Sequence, residues 1–329
     1  MPAPLVVAVV GPTAAGKSDL AVALSERLGG EVVNADAMQV YRGMDIGTAK
    51  ITTAERRGVP HHLLDILDVT ETATVAEFQA LARAAIDDCL KRQRVPVLAG
   101  GSALYVRAIL DDFVFPGTDP EVRARLEAEL EAKGSGALHQ ELAVKDPKAA
   151  EQILPSNGRR IVRALEVIEI TDGPYVATLP EHRYVYDGAI QVGLDVPRPV
   201  LDERIDRRVD RMFDAGFVAE VRGLLNKGLI EGRTANRALG YSQVIALLNG
   251  EIDEAQARER TAQATRRFAR RQDSWFRKDR RITWLPYDAP DLPELALEVI
   301  AEGNRADAPG VVEVTTGPDH HTGAGDARG

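Results

Sequence analysis

The stretch Gly11-Pro-Thr-Ala-Ala-Gly-Lys-Ser18 directly follows the apolar run Leu5-Val-Val-Ala-Val-Val10. It reads G-x-x-x-x-G-K-S, the pattern of a phosphate-cradling loop. The apolar run fits a strand of a parallel sheet buried on both faces. After the loop, Leu20, Leu24 and Leu28 recur at four-residue spacing, one face of a helix. The strand–loop–helix context that the motif requires is therefore present. Gly11, Pro12, Thr13, Ala14, Ala15, Gly16, Lys17 and Ser18 form the candidate cradle. Its backbone N–H groups and the helix N-terminus favour an anion. Lys17 adds a full positive charge, and the Ser18 hydroxyl can hold a Mg²⁺ ion that the phosphates share. The loop specifies phosphate; it does not specify which phosphate compound, or which bond breaks.

This start predicts an α/β fold, a P-loop NTPase-like parallel sheet flanked by helices. With 329 residues, 44% of them hydrophobic, the chain can bury an ample core over perhaps two domains. The first apolar run is six residues long with no basic region before it, so neither a signal peptide nor a membrane span is expected. One cysteine, Cys89, permits no internal disulfide, which fits a reducing cytoplasm. The formal net charge of -9 argues against nucleic acid, but the charge is unevenly spread. From Arg258 to Arg281 ten Arg or Lys stand against three acidic residues.

A second strand is expected over Glu31-Val-Val-Asn-Ala-Asp36, ending on an acid at the rim where ligands collect in such sheets. Asp36 can act there as a general base, hold the metal, or merely cap a helix. The adjacent His61 and His62 point to different faces and make a poor metal pair. Residues 75–92 have a helical pattern, and Val95-Pro-Val-Leu-Ala99 reads as a buried strand. That strand ends in Gly100-Gly101-Ser102, where many phosphate-loop enzymes place an acid that holds the metal and positions water. A glycine pair with a hydroxyl suits gripping a substrate better than activating water. Ser102 is either part of that grip or only the cap of the helix over 103–110.

Residues 113–187 change in texture: helical patterns and no convincing strand, opened by a cap at Asp119 and Pro120. The expected layout is residues 1–112 as the first part of the P-loop core, 113–187 as a small inserted all-helical domain, and 188–302 as the second part of the core with a basic C-terminal helix. A polar, Gly-rich disordered tail is expected over 303–329. Within the second part, residues 190–196 and 282–286 read as strands. Residues 199–227 read as one long helix of mixed charge, mostly a solvated face. Asp253 caps a helix reaching about Lys278, in which Arg266, Arg267, Arg270 and Arg271 interleave with Phe268, Trp275 and Phe276. Such a belt can bind an RNA backbone with aromatics to stack on bases, or can pair with the protein's excess acid.

Taken together, these pieces resemble a known family. The phosphate loop, Asp36-Ala-Met-Gln-Val-Tyr-Arg-Gly-Met-Asp-Ile-Gly-Thr-Ala-Lys50, Pro60-His-His-Leu-Leu-Asp65, Gly100-Gly-Ser-Ala-Leu-Tyr105, Arg160-Ile-Val-Arg-Ala-Leu-Glu-Val167, Gly240-Tyr-Ser-Gln243 and the Arg-rich run through Trp275-Phe-Arg277 are similar to bacterial tRNA dimethylallyltransferases. The likeness spans residues 5 to 285 in order, and the Met-Asp-Ile-Gly-Thr-Ala-Lys run is its most distinctive piece.

The resemblance implies transfer of a dimethylallyl group from dimethylallyl diphosphate to N6 of the adenosine immediately 3′ of the anticodon, in tRNAs reading codons that begin with U, with release of diphosphate. It implies Mg²⁺ as cofactor, the tRNA anticodon stem-loop as partner, no membrane, a cytoplasmic location and a monomer. By resemblance Asp36 is the catalytic base, with Lys17 and Ser102 also at the reacting groups, and the loop binds the diphosphate. Asp36, Ala37, Met38, Gln39, Ser102, Arg123, Arg160, Arg163, Arg266, Arg270 and Arg271 are the implied tRNA contacts. Ser102 stands where the family usually has Thr; Arg159, Arg267 and Asp273 also depart from the usual pattern. A P-loop small-molecule kinase and an adenylate isopentenyltransferase are the competing readings, along with a non-catalytic RNA-binding module.

Overall fold

A computed structural model describes residues 4–175 and 182–306. The chain runs β1 (Leu5–Val10), α1 (Lys17–Leu28), β2 (Glu31–Asn34), β3 (His61–His62), α2 (Val75–Lys91), β4 (Pro96–Gly100), α3 (Ala103–Leu110), α4 (Pro120–Lys145), α5 (Pro147–Gln152) and α6 (Gly158–Thr171). It continues through β5 (Gly188–Asp195), α7 (Arg198–Asp214), α8 (Phe217–Leu225), α9 (Tyr241–Leu248), α10 (Glu254–Phe276), β6 (Ile282–Pro286) and α11 (Leu292–Ala306). The strands form one parallel sheet in the order β3-β2-β4-β1-β5-β6.

The uninterrupted apolar run of β1 follows from its central place. Val6, Ala8 and Val10 pack into a core with Phe78, Ile109, Phe217 and Tyr241. Val7 and Val9 point the other way, against Leu20 and Leu24 of α1 and Ile300 of α11. Both faces are covered by helices, so a strand here gains nothing from polar alternation. Val10 lies level with Gly100 and Gly193, and Asn34 with Ala99. The ends of four strands therefore form one even rim.

Helices α4 to α6 carry a separate small core of Leu126, Leu138, Leu142, Ile161 and Leu165. Asp119 caps α4 by accepting the N–H groups of Glu121 and Val122, and α4 breaks at Gly134. The chain enters and leaves this unit side by side: the N–H of Asp112 donates to Arg183 and that of Val185 to Leu110.

Three expectations need correction. The helix expected over 199–227 is two helices, because Gly216 takes φ 100° and turns the chain between α7 and α8. The second strand stops at Asn34, since Asn34 bonds across to Asp36 and bends the backbone there. The expected tail begins too early: α11 continues through Gly303 to Ala306, and residues 307–329 lie outside the described residues.

Candidate active site

The cavity beside the phosphate loop is lined from both halves of the chain. Thr13, Lys17 and Ser18 come from the loop and α1; Asp36, Gln39 and His61 follow β2 and open β3; Gly100 and Gly101 end β4. Arg208 of α7 and Phe268 and Gln272 of α10 close it from the other side. A larger groove of about 730 Å³ lies on the outer side of the loop, against Asp19, Arg204 and Tyr287. Neither Lys17 nor Asp36 lines that groove, so the smaller cavity is the candidate site.

The cavity has a cationic end. Burial is the main force that pulls the Lys17 ammonium down to about 7, the Arg208 guanidinium adds to it, and Asp36 opposes both. Burial likewise lowers Arg208, again against Asp36. Lys17 Nζ donates to the Pro12 carbonyl at 2.7 Å. Two desolvated cations lining one cavity favour a polyanion between them.

Asp36 is rigidly placed. Its N–H donates to Asn34 Oδ1 (3.0 Å), and Asn34 Nδ2 donates back to the Asp36 carbonyl (3.0 Å) and to Leu63 (3.1 Å). One carboxylate oxygen accepts the Met38 N–H at 2.9 Å; the other has no hydrogen-bond partner among the described residues. Half of the carboxylate is thus an anchor and half is free for chemistry. Ala37 and Met38 continue this turn, and Met38 packs on the core. Gln39 Nε2 donates to the Thr48 carbonyl at 3.2 Å.

The glycine at the end of β4 has a specific cause. A side chain on Gly101 would come within 2.5 Å of Gln272 Nε2 and 3.5 Å of Lys17 Nζ. Gln272 fills that space and accepts the Thr13 N–H at 2.9 Å, tying α10 to the phosphate loop. Ser102 occupies the N-cap position of α3, yet its side chain makes no capping bond. Its hydroxyl makes no hydrogen bond among the described residues, and Ser102 itself does not line the cavity, which ends at Gly101.

Three residues important here had no signal of their own. Arg208 sits in a helix read as solvated. Gln272 is one residue of a basic run. In the sequence, His61 is only half of a poor metal pair. Its Nδ1 donates to the Val59 carbonyl at 2.9 Å, which leaves Nε2 as an acceptor, and burial lowers its affinity for a second proton. Its neighbour His62 points elsewhere. There Glu31, His62 and Cys89 place ligand atoms within 4.8 Å of one another. The Arg92 guanidinium takes both oxygens of Glu31, so this cluster already contains its cation.

The structure leaves several expected RNA contacts outside the cavity. Arg123 and Arg163 both pair with Glu166, whose side chain is fully buried. Burial pushes the Glu166 carboxyl up, but the two guanidiniums more than offset it and hold it below the usual range. Arg160 is exposed and its guanidinium has no partner among the described residues. On α10, Arg266 pairs with Asp206 and Arg270 with Asp202 of α7 (3.6 Å for the latter). Arg271 stays exposed, its guanidinium 5.9 Å from the Phe268 ring.

The family model for IPP transferase matches residues 39–279. A tRNA dimethylallyltransferase of Streptomyces coelicolor is 66% identical over 302 residues, covering 91% of this chain and 96% of that one. The chain belongs to the IPP transferase family. A tRNA dimethylallyltransferase of Thermobifida fusca is 63% identical over 302 residues. Among solved structures, a tRNA isopentenylpyrophosphate transferase of Bacillus halodurans superposes with a TM-score of 0.68 at 39% identity, covering 92% of this chain and 99% of that chain. A eukaryotic dimethylallyltransferase acting on tRNA shares the fold, with a TM-score of 0.80 at 24% identity.

The IPP transferase family match begins at Gln39, beyond the phosphate loop and Asp36; the S. coelicolor relative spans 91% of the chain. Ser18 and Asp36 put a hydroxyl and a carboxylate oxygen into the same cavity. Hard oxygen donors few in number fit Mg²⁺, which keeps much of its own water.

Proposed function

We propose that this chain transfers the dimethylallyl group of dimethylallyl diphosphate to N6 of the adenosine immediately 3′ of the anticodon, in tRNAs reading codons that begin with U. The observation that carries the reading is the shared cavity: two desolvated cations, Lys17 and Arg208, at one end, and the unpaired oxygen of Asp36 facing the same space.

The diphosphate binds on the loop, with Lys17 and Arg208 on its oxygens. The Ser18 hydroxyl would hold Mg²⁺, which would supply further charge neutralisation at the diphosphate. The adenine N6 attacks the first carbon of the prenyl chain. The carbon–oxygen bond breaks, its electron pair leaves with the diphosphate, and the surplus N6 proton passes to Asp36. Charge grows on the leaving oxygens as the bond breaks, so fixed cations and N–H donors stabilise the transition state more than the ground state. A carboxylate base contributes because the adenine amine is a weak nucleophile.

An adenine stacked in the anticodon loop cannot enter this cavity; it must turn out of the stack. The α4–α6 unit grips the loop from outside in this reading, with Arg160 among its exposed cations. Ser102 hydrogen-bonds at the reacting groups. The reaction belongs in the cytoplasm. The end of β4 favours transfer over a kinase or hydrolase, because it carries Gly100-Gly101-Ser102 where an acid would hold water.

Incubation with dimethylallyl diphosphate and tRNA tests the reading. It should release inorganic pyrophosphate and add a five-carbon group to one adenosine, seen by nucleoside mass spectrometry. Label passing from a γ-phosphate instead would refute it.

A further inference from the structure

The most distinctive run of the sequence, Asp45-Ile-Gly-Thr48 with its neighbours, has no side chain in the chemistry above except through one carbonyl. Its backbone is held by a residue from far along the chain. The Glu220 carboxylate of α8 accepts the N–H groups of Ile46 (2.6 Å) and Asp45 (3.0 Å) on one oxygen. Its other oxygen accepts the Gly47 N–H (3.1 Å) and the Tyr241 hydroxyl (2.7 Å). Successive N–H groups of a turn converge on an anion and bind it as a nest. Here the anion belongs to the protein. Tyr241 remains a donor, since burial and the Glu220 charge raise its hydroxyl far above the ordinary range.

The packing fixes the turn in one position. A side chain on Gly47 would meet Phe217 at 2.2 Å and Tyr241 at 2.7 Å, so only glycine lets the turn reach the carboxylate. The next residue presents its carbonyl toward the cavity. Thr48 accepts Gln39 Nε2 at 3.2 Å and Arg208 Nη2 at 3.3 Å. Glu220 itself does not line the cavity.

We propose that Glu220 is a positioning residue: its carboxylate locks the 45–47 turn so that the Thr48 carbonyl aims Arg208 and Gln39 at the bound substrates. A glutamine in its place keeps the shape but replaces one acceptor oxygen with an amide NH₂ and removes the charge. The turn then loosens, and Arg208 loses its fixed direction. The inference rests on the placement of Arg208 at the diphosphate, and its readout does not require prenyl transfer.

The experiment is a double-mutant cycle read by calorimetric binding of inorganic pyrophosphate in Mg²⁺ buffer, with Glu220→Gln, Arg208→Ala and both together. Glu220→Gln should weaken pyrophosphate about tenfold with Arg208 present and less than twofold with Arg208 replaced. The non-additivity is what distinguishes positioning from loss of folded protein. Tyr241→Phe, which removes one bond to the same carboxylate, is the gentler companion. It should weaken pyrophosphate about threefold with Arg208 present, and by nothing measurable without it. Equal losses in both backgrounds, or no loss in folded variants, would overturn the inference. Failure of the proposed reaction would show separately, as wild-type protein that binds pyrophosphate yet transfers no prenyl group.

Discussion

Replacing Lys17 by methionine tests the electrostatics of the site directly. Burial, with help from Arg208, brings the ammonium from its ordinary 10.5 to about 7. That gap corresponds to a ceiling of about 5 kcal/mol for keeping the charge in the buried site. Below pH 7 the folded and unfolded chains are both protonated at Lys17, and the folded state bears the whole cost. Between about 7 and 10.5 the unfolded chain holds the proton and the folded chain has released it, so stability rises with pH. Above 10.5 the cost is gone. Lys17→Met removes the titrating group altogether. The wild type should therefore gain roughly 2 kcal/mol on the variant between pH 7 and pH 9. The lost bond to the Pro12 carbonyl, worth about 1 kcal/mol, shifts the offset between the two curves and not their divergence. Urea unfolding of both proteins at several pH values measures this. Pyrophosphate should flatten the wild-type gain, because an anion on the loop keeps Lys17 charged. Parallel pH curves for the two proteins would refute the reasoning.

Asp36→Ala should lower turnover by about a hundredfold or more, the usual scale for a general base, while tRNA affinity measured by filter binding changes little. Glu166→Ala should destabilise the helical unit by about 3 kcal/mol at neutral pH by stranding Arg123 and Arg163; thermal unfolding reads this. Because those arginines hold the Glu166 carboxyl low, its contribution is present above the ordinary carboxylate value and lost as pH falls through the depressed one. Arg271→Ala should flatten the slope of log affinity against log salt by about one phosphate contact. Arg266→Ala, which breaks the pair with Asp206, should lower the melting temperature and leave that slope unchanged.

Much of this was legible in the residues. The phosphate loop, the capped starts at Asp119 and Asp253, and the parallel strands carry local signals whose causes are local: glycine, caps and apolar runs. The carboxyl rim followed from the fold class, and it placed Asp36 and the Gly100–Ser102 segment beside the loop. Arg208 and Gln272 could not be read this way. Each lies in a helix whose sequence is charged on several faces, and only the crossing of α7 and α10 over the rim selects one arginine and one glutamine. Glu220 is a stronger case, since the turn it holds is 173 to 175 positions earlier in the chain. Gly216 was a local signal that the charge pattern around it obscured.

The charge of the chain resolves once its faces are separated. Asp202, Asp206, Asp210 and Asp214 recur at four-residue spacing on α7, a ladder along one stripe of that helix. Arg258, Arg266 and Arg270 of α10 pair with members of that ladder. Acid pairing therefore accounts for one face of the helix and leaves another free for the RNA contact that the Arg271 variant tests. A third face sends Phe268 and Gln272 to the cavity. Arg260, Arg267 and Arg271 remain exposed, with no acidic partner among the described residues. A polyanion approaching α10 meets that narrow track and not the ladder behind it. The acid of α7 then works for the proposed reading, because RNA laid against the ladder would be repelled while RNA along the track would not.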